Sequence, residues 1–331
     1  MSVVALAGGT GGAKLSHGLQ QVLPPGALTV IVNTGDDLSL HGLEISPDLD
    51  TVMYTLAGLA NPDTGWGLRD ETWSAADMLA RYGGPTWFRL GDRDLATHVR
   101  RTDRLGSGAT LTEVTRELCD ALGVPSTILP MTDDPVRTRL RTDDGWLDFQ
   151  DYFVRRRHAD DVREIRYDGA ESARATPHVL DAIASASLIV LAPSNPFVSI
   201  GTILAIPGIV GALGASEASV VAVSPIVAGA ALRGPADRMF ETLGGDPSAL
   251  GVARHYAARF PGLVDTLVID GRDADQAPAI EALGIGARPA DTVMVDEAAR
   301  ARLAGEVLSV ARERAGSRVP PRAPTRASPG S

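Results

Sequence analysis

Two short segments of this chain carry residue types suited to phosphate chemistry. Gly8-Gly9-Thr10-Gly11-Gly12 follows the apolar run Val3–Ala7 and precedes a stretch, 14–23, with helical spacing of apolar residues. Glycines let backbone N–H groups approach phosphate oxygens closely, and a following helix presents its positive end to them. Gly9, Thr10, Gly11 and Gly12 are therefore the candidate cradle, with Lys14, the only lysine in the chain, as its candidate cation. A tight turn would explain the glycines more plainly, but four in five residues at a strand-to-helix junction favour phosphate contact. Two familiar motifs do not fit. A Walker A loop needs Gly before its Lys and Ser or Thr after it, whereas Lys14 stands between Ala13 and Leu15. A dinucleotide fingerprint counted from Gly9 meets Lys14 where its third glycine belongs.

The second segment is acidic. Asn33, Asp36, Asp37, Asp48 and Asp50 straddle His41-Gly42. Singly, such aspartates cap turns and helices, and Ser46-Pro47-Asp48 reads as a helix start capped by Ser or Asp. Together, beside a phosphate cradle, they point to a Mg²⁺ site, since hard cations prefer carboxylate oxygens and bridge to substrate phosphates.

Three further clusters accompany these. Alternating charges around Gly91, from Arg89 to His98, form either an arginine clamp for an anion or a salt-bridged turn before a helix. Pro193-Ser194-Asn195-Pro196 and Ser199 follow an apolar strand, a setting suited to reading a nucleobase or capping the next helix. Trp66, Trp73 and Trp87 offer a platform for a flat heterocycle, although core packing is the commoner fate of such residues.

The elements that must position these residues alternate along the chain. Strands are expected at Val3–Ala7, Leu28–Val32, 126–129, 146–153, 188–192, 220–223, 266–269 and 292–295. Helices are expected at 111–122, Pro177–Ser185, 200–213, 235–243, 247–259 and 297–312. This pattern predicts an α/β fold: an open, mainly parallel Rossmann-like sheet with helices on both faces. A polar, Arg-rich segment, about 132–167, reads as a small β-containing insertion. Residues 1–311 are expected to form one domain, and 312–331, rich in Pro, Arg and Ser, a disordered basic tail.

A formal charge of −10 argues against nucleic-acid binding. Cys119 is the only cysteine, which excludes an internal disulfide and a thiolate metal cluster. No apolar run approaches the roughly 18–20 residues that span a bilayer, and Val3–Ala7 is too short for a signal peptide. A cytoplasmic protein that acts on small molecules, without membrane partners and as a homodimer, is the expectation.

Six segments in order resemble the CofD family, the 2-phospho-L-lactate transferases of coenzyme F-420 biosynthesis (called FbiA in some actinobacteria). They are Gly8 through Lys14, Asn33-Thr34-Gly35-Asp36-Asp37, Ser46 through Thr51, Gly91 through Asp94 with Ala96-Thr97-His98, Leu129 through Pro135, and Pro193 through Pro196. The resemblance runs from Val3 to about Val310. It implies transfer of a phospholactyl or phosphoenolpyruvyl group from a GDP-activated donor to the ribityl hydroxyl of Fo, a deazaflavin, with GMP leaving and Mg²⁺ neutralising the diphosphate. By position, Asp50 and Arg89 match residues that hold Fo, and Asp36 matches an acidic position associated with the metal, with Asp37 adjoining it as the second metal candidate. Asp50 and Asp36 are thus the catalytic candidates, Asp50 either positioning Fo or acting as a base. Ser194, Asn195, Pro196 and Ser199 are the candidate guanosine contacts. A rival is a YvcK-like nucleotide-sugar-binding regulatory protein, which typically has a Gly/Ser-rich run where this chain has Asp36 through Gly42. A nicotinamide-dependent dehydrogenase is disfavoured by the missing third glycine.

Overall fold

The computed structural model describes residues 1–317. The chain opens with β1 (Val3–Ala7), α1 (Gly9–Val22) and β2 (Leu28–Val32), then a hairpin of β3 (Leu38–Leu40) and β4 (Leu43–Ile45). Four helices follow: α2 (Pro47–Leu56), α3 (Ser74–Arg81), α4 (Asp92–Gly106) and α5 (Leu111–Ala121). Next come β5 (Thr127–Pro130), β6 (Arg137–Thr142), β7 (Gly145–Asp148) and β8 (Glu164–Asp168). The second half carries α6 (Pro177–Ser185), β9 (Leu188–Leu191), α7 (Ile200–Leu204), α8 (Ile209–Ala215) and β10 (Ser219–Val223). A short ribbon of β11 (Ile226–Val227) and β12 (Ala230–Ala231) leads to α9 (Ala236–Thr242), α10 (Ala249–Arg259) and β13 (Thr266–Asp270). The described chain closes with α11 (Ala277–Glu281), β14 (Gly286–Ala290) and α12 (Glu297–Ser317).

Seven strands form a wholly parallel sheet in the order β14-β13-β10-β9-β1-β2-β5. Parallel strands buried on both faces read as continuous apolar runs, as Val3–Ala7 does. The period-two alternation divides that run between two cores. Val4 and Leu6 pack toward α6, α7 and α10, while Val3, Ala5 and Ala7 pack toward α1, α2 and α12. The expected Rossmann-like fold is the one observed. Strand order reverses at β1, with β2 on one side and β9 on the other, so the carboxyl ends of these three strands frame the crevice where such sheets bind ligands.

The insertion is a three-stranded antiparallel sheet, β7-β6-β8. Its apolar face (Leu140, Phe149, Tyr152 and Val162) packs on Val198 and Met239, which seats it over the β9 side of the crevice.

Several boundaries differ from the sequence-based expectation. The strand expected at 146–153 ends at Asp148, and Asp151–Arg155 forms a single π-helical turn. No strand forms at 292–295. The last strand is instead Gly286–Ala290, whose Pro289 is tolerated because β14 is an edge strand. The helix expected over 200–213 is two helices, broken at Pro207-Gly208, where Gly208 takes φ +95°. Helix α3 was not anticipated, and none of its residues is buried. Helix α12 continues to Ser317 across the start of the expected tail, and 318–331 lie outside the described residues.

Candidate active site

The glycine segment is less a loop than a helical turn. Helix α1 begins at Gly9, with Gly8 extended as its N-cap and Gly9 at φ +61°. The glycines are explained first by packing. A Cβ on Gly11 would lie 2.3 Å from the Pro193 carbonyl oxygen, and one on Gly12 2.6 Å from Ser194 Oγ and 2.8 Å from Ala7 Cβ. One on Gly8 would lie 2.5 Å from an Asp48 carboxylate oxygen. The chain after β9 therefore crosses hard against the N-terminus of α1. Ser194 Oγ accepts from Gly8 N–H at 3.0 Å and donates to Gly8 carbonyl at 2.7 Å.

Asp48 is the hub that joins the two halves of the motif. It accepts Gly9 N–H at 2.8 Å and Asn33 Nδ2 at 2.9 Å, while Asn33 Oδ1 accepts Gly35 N–H at 2.9 Å. The Gly9 amide is thus already engaged by a carboxylate. The expected cap at Ser46 is absent, because its hydroxyl donates to Asp37 Oδ2 at 2.8 Å instead.

On the β2–β3 turn Asp36 is buried and Asp37 half-buried, and Oδ1 of each has no hydrogen-bond partner. Burial, then the charges of Asp48 and Asp37, push Asp36 well above the usual carboxylate range. Burial raises Asp37 to about 8, against the Ser46 hydrogen bond and the charges of Arg137 and Arg101. It raises Asp48 to about 6, against the bonds from Asn33 and Gly9. Three desolvated acids at one crevice, two with an unsatisfied oxygen, suit a hard cation. Among the described residues no group of three or more His, Cys, Asp or Glu converges as a complete protein cage. The unpartnered oxygens of Asp36 and Asp37 could supply the one or two carboxylates with which Mg²⁺ sites are commonly built.

Asp50 sits one helical step away but faces elsewhere. Arg101 donates to both of its oxygens, and His98 lies 3.7 Å from it. His98 also faces Asp94, which accepts Tyr54 OH at 2.7 Å. Asp50, His98 and Arg101 are all buried, so α2 and α4 share a closed polar network. Arg89, by contrast, is exposed, pairs with Asp77 at 3.1 Å and lies 4.7 Å over the Trp73 ring. Asp50 and Arg89 do not contact each other.

Two cavities flank the β3–β4 hairpin. One, of about 250 Å³, is walled by Ala76, Leu79, Pro85, Phe88, Leu90 and Leu95, with His41, Asp77 and Arg89 as polar groups. The other, of about 220 Å³, contains Asp36, Asp37, Trp87, Arg137 and Gln150. Trp87 in one and Phe88 in the other are adjacent in sequence. The tryptophans are not core residues: Trp66 is 48% exposed, and Trp73 and Trp87 are half-buried.

The remaining sequence candidates serve local structure in the described chain. Lys14 Nζ donates to Met294 carbonyl at 3.0 Å, and burial, then Arg233 and Arg300, lower its pKa. Thr10 Oγ1 donates to Gly65 carbonyl at 3.2 Å. Asn195 Oδ1 accepts Phe197 N–H at 2.9 Å, shaping the turn between buried Pro196 and Ser199, the residue that precedes α7. The Gly91–Asp94 segment begins α4. There Asp92 accepts from the Ser74 and Ala75 amides, and Glu71 accepts from those of Arg93 and Asp94. Arg101 and Arg137 carry no signal in the sequence, because the Asp50 carboxylate that Arg101 binds and the cavity that Arg137 lines are formed by residues far from them along the chain.

Comparison with known proteins identifies the family of the chain. Residues 3–311 match the family described as 2-phospho-L-lactate transferase CofD. A Streptomyces griseus protein named phosphoenolpyruvate transferase is 47% identical over 318 residues, covering 95% of this chain and 99% of its own. A Mycobacterium avium protein of the same name is 42% identical over 338 residues, covering 94% and 99%. Among solved structures, a UPF0052 family protein from Bacillus halodurans superposes with a TM-score of 0.64 at 16% identity, over 93% of this chain and 98% of its own, a likeness of fold alone.

Proposed function

Since the chain belongs to the CofD family, we propose that it transfers a phosphoenolpyruvyl or phospholactyl group from a GDP-activated donor to the terminal ribityl hydroxyl of Fo. The names of the Streptomyces and Mycobacterium relatives favour the enolpyruvyl donor. The observation that carries the reading is the pair of adjoining cavities: one apolar-walled beside Arg89, the other holding Asp36 and Asp37. A flat ring suits the first and a diphosphate with its cation suits the second, with the ribityl chain reaching between them near Trp87 and Phe88.

In the reaction, the ribityl oxygen forms a bond to the phosphorus nearer the three-carbon acid. The bond from that phosphorus to the bridging oxygen breaks, GMP leaves with the electron pair, and the hydroxyl proton passes to water. Asp36 and Asp37 would hold Mg²⁺, which when bound neutralises the diphosphate and the charge on the departing GMP. The first turn of α1, from Thr10 through Gly12, presents the positive end of the helix to the donor. Arg89 orients the ring of Fo. Asp50, held by Arg101 in the closed network of α2 and α4, positions the acceptor side through those helices rather than acting as a base. Catalysis is then mainly positioning and charge stabilisation.

The test is direct. Purified protein, Mg²⁺, Fo and the guanosine donor are combined and the products followed by mass. The expected products are GMP and a phosphodiester of Fo. If no such adduct appears with either donor, the proposal fails.

A further inference from the structure

We infer that Arg137 binds the carboxylate of the donor's three-carbon acid, an inference that rests on the transferase reading above. Strand β6 carries Arg137, Arg139 and Arg141 at alternate positions, so all three share one face of the insertion. Two are neutralised across the sheet: Arg139 pairs with Asp148 and Arg141 with Glu164, each at 3.0 Å. Arg137 stands opposite Asp168 in the strand register, but Arg166 occupies that carboxylate. The hydrogen bond Arg137 makes is to the neighbouring Val136 carbonyl, at 2.8 Å.

Its guanidinium lines the cavity that holds Asp36 and Asp37. The other carboxylates there, Asp148 and Asp151, are paired with Arg139 and Arg155. Arg137 acts on Asp37 through its charge but makes no salt bridge among the described residues, which leaves its guanidinium open to a ligand at the phosphate end of the crevice. A 2-phosphoryl acid carries its carboxyl carbon two bonds from the phosphoester oxygen. A cation beside the phosphoryl site is thus in reach of that group, and a guanidinium fork matches a planar carboxylate by paired hydrogen bonds. GDP has no such group, so the contact would separate the charged acid donor from its parent nucleotide.

The test uses the full chain with Mg²⁺ and titration calorimetry of three ligands: the guanosine donor bearing the acid, GDP, and Fo. Arg137→Gln is expected to weaken the acid-bearing donor roughly 10- to 100-fold, the scale of a lost charge-assisted pair, with GDP and Fo changed less than about 2-fold. Arg137→Lys should recover part of the loss, and thermal stability should hold in both variants. Equal weakening of donor and GDP would make Arg137 a general counter-ion and overturn the inference, as would no weakening of either. A wild type that binds the donor with this pattern yet forms no Fo adduct would refute the transferase reading while leaving the Arg137 contact standing.

Discussion

Arg101 donates from both terminal nitrogens to the carboxylate of Asp50, 51 positions away, and the pair is almost entirely closed to solvent. A buried ion pair contributes little net stability when complete, but removing one partner strands the other charge. Arg101→Met is expected to cost about 3–5 kcal/mol, read by urea denaturation. Asp50→Asn should weaken Fo binding yet leave the shape of the activity–pH profile unchanged, because a clamped carboxylate moves no proton. Loss of the acidic limb of that profile would instead make Asp50 the base.

Arg89 predicts the opposite balance. Its side chain is 51% exposed, and its bond to Asp77 is a surface pair. Arg89→Ala should change stability by less than about 0.5 kcal/mol while weakening Fo binding several-fold, measured by Fo fluorescence. A large fall in melting temperature with unchanged Fo affinity would assign Arg89 to the fold.

The buried acids predict a pH-dependent stability. A carboxyl raised to about 8 in the folded chain, against about 3.9 unfolded, binds its proton more tightly when folded. The stability from Asp37 is therefore full below about pH 4 and lost as pH rises toward about 8. Melting in EDTA should show the wild type losing stability across that window relative to Asp37→Asn. Added Mg²⁺ should raise the wild-type midpoint more at pH 8 than at pH 6. An equal metal response at both would separate Asp37 from the cation.

Gly11 tests the crossing of the two chain segments. Gly11→Ala sets a methyl against the Pro193 carbonyl and should destabilise by about 1–3 kcal/mol. Gly214→Ala is the control: that glycine lies in α8, and its Cβ meets nothing within 4 Å. It should stabilise by about 0.4–1 kcal/mol. Differential scanning calorimetry reads both, and equal effects would refute the packing account of Gly11.

Local information was enough for the strand, glycine turn and helix that open the chain, because an apolar run and a glycine cluster act through neighbouring residues. It was also enough to bring Asp36 and Asp37 to the glycine turn, since the β1-α1-β2 unit places both at the same sheet edge. Division of labour among the aspartates is a different matter. Asp48 binds the glycine turn, Asp36 and Asp37 keep free oxygens, and Asp50 is taken by Arg101. Each outcome depends on a partner from another element, which the spacing of aspartates does not encode. The same reason lies behind the edge strand. Residues 292–295 look apolar enough to pair, but pairing is settled by β13, which takes Gly286–Ala290. Sequence alone determined the fold class and pointed to phosphate chemistry at the crevice. Tertiary structure decided which side chains remain free to perform it, because burial and long-range pairing consume the rest.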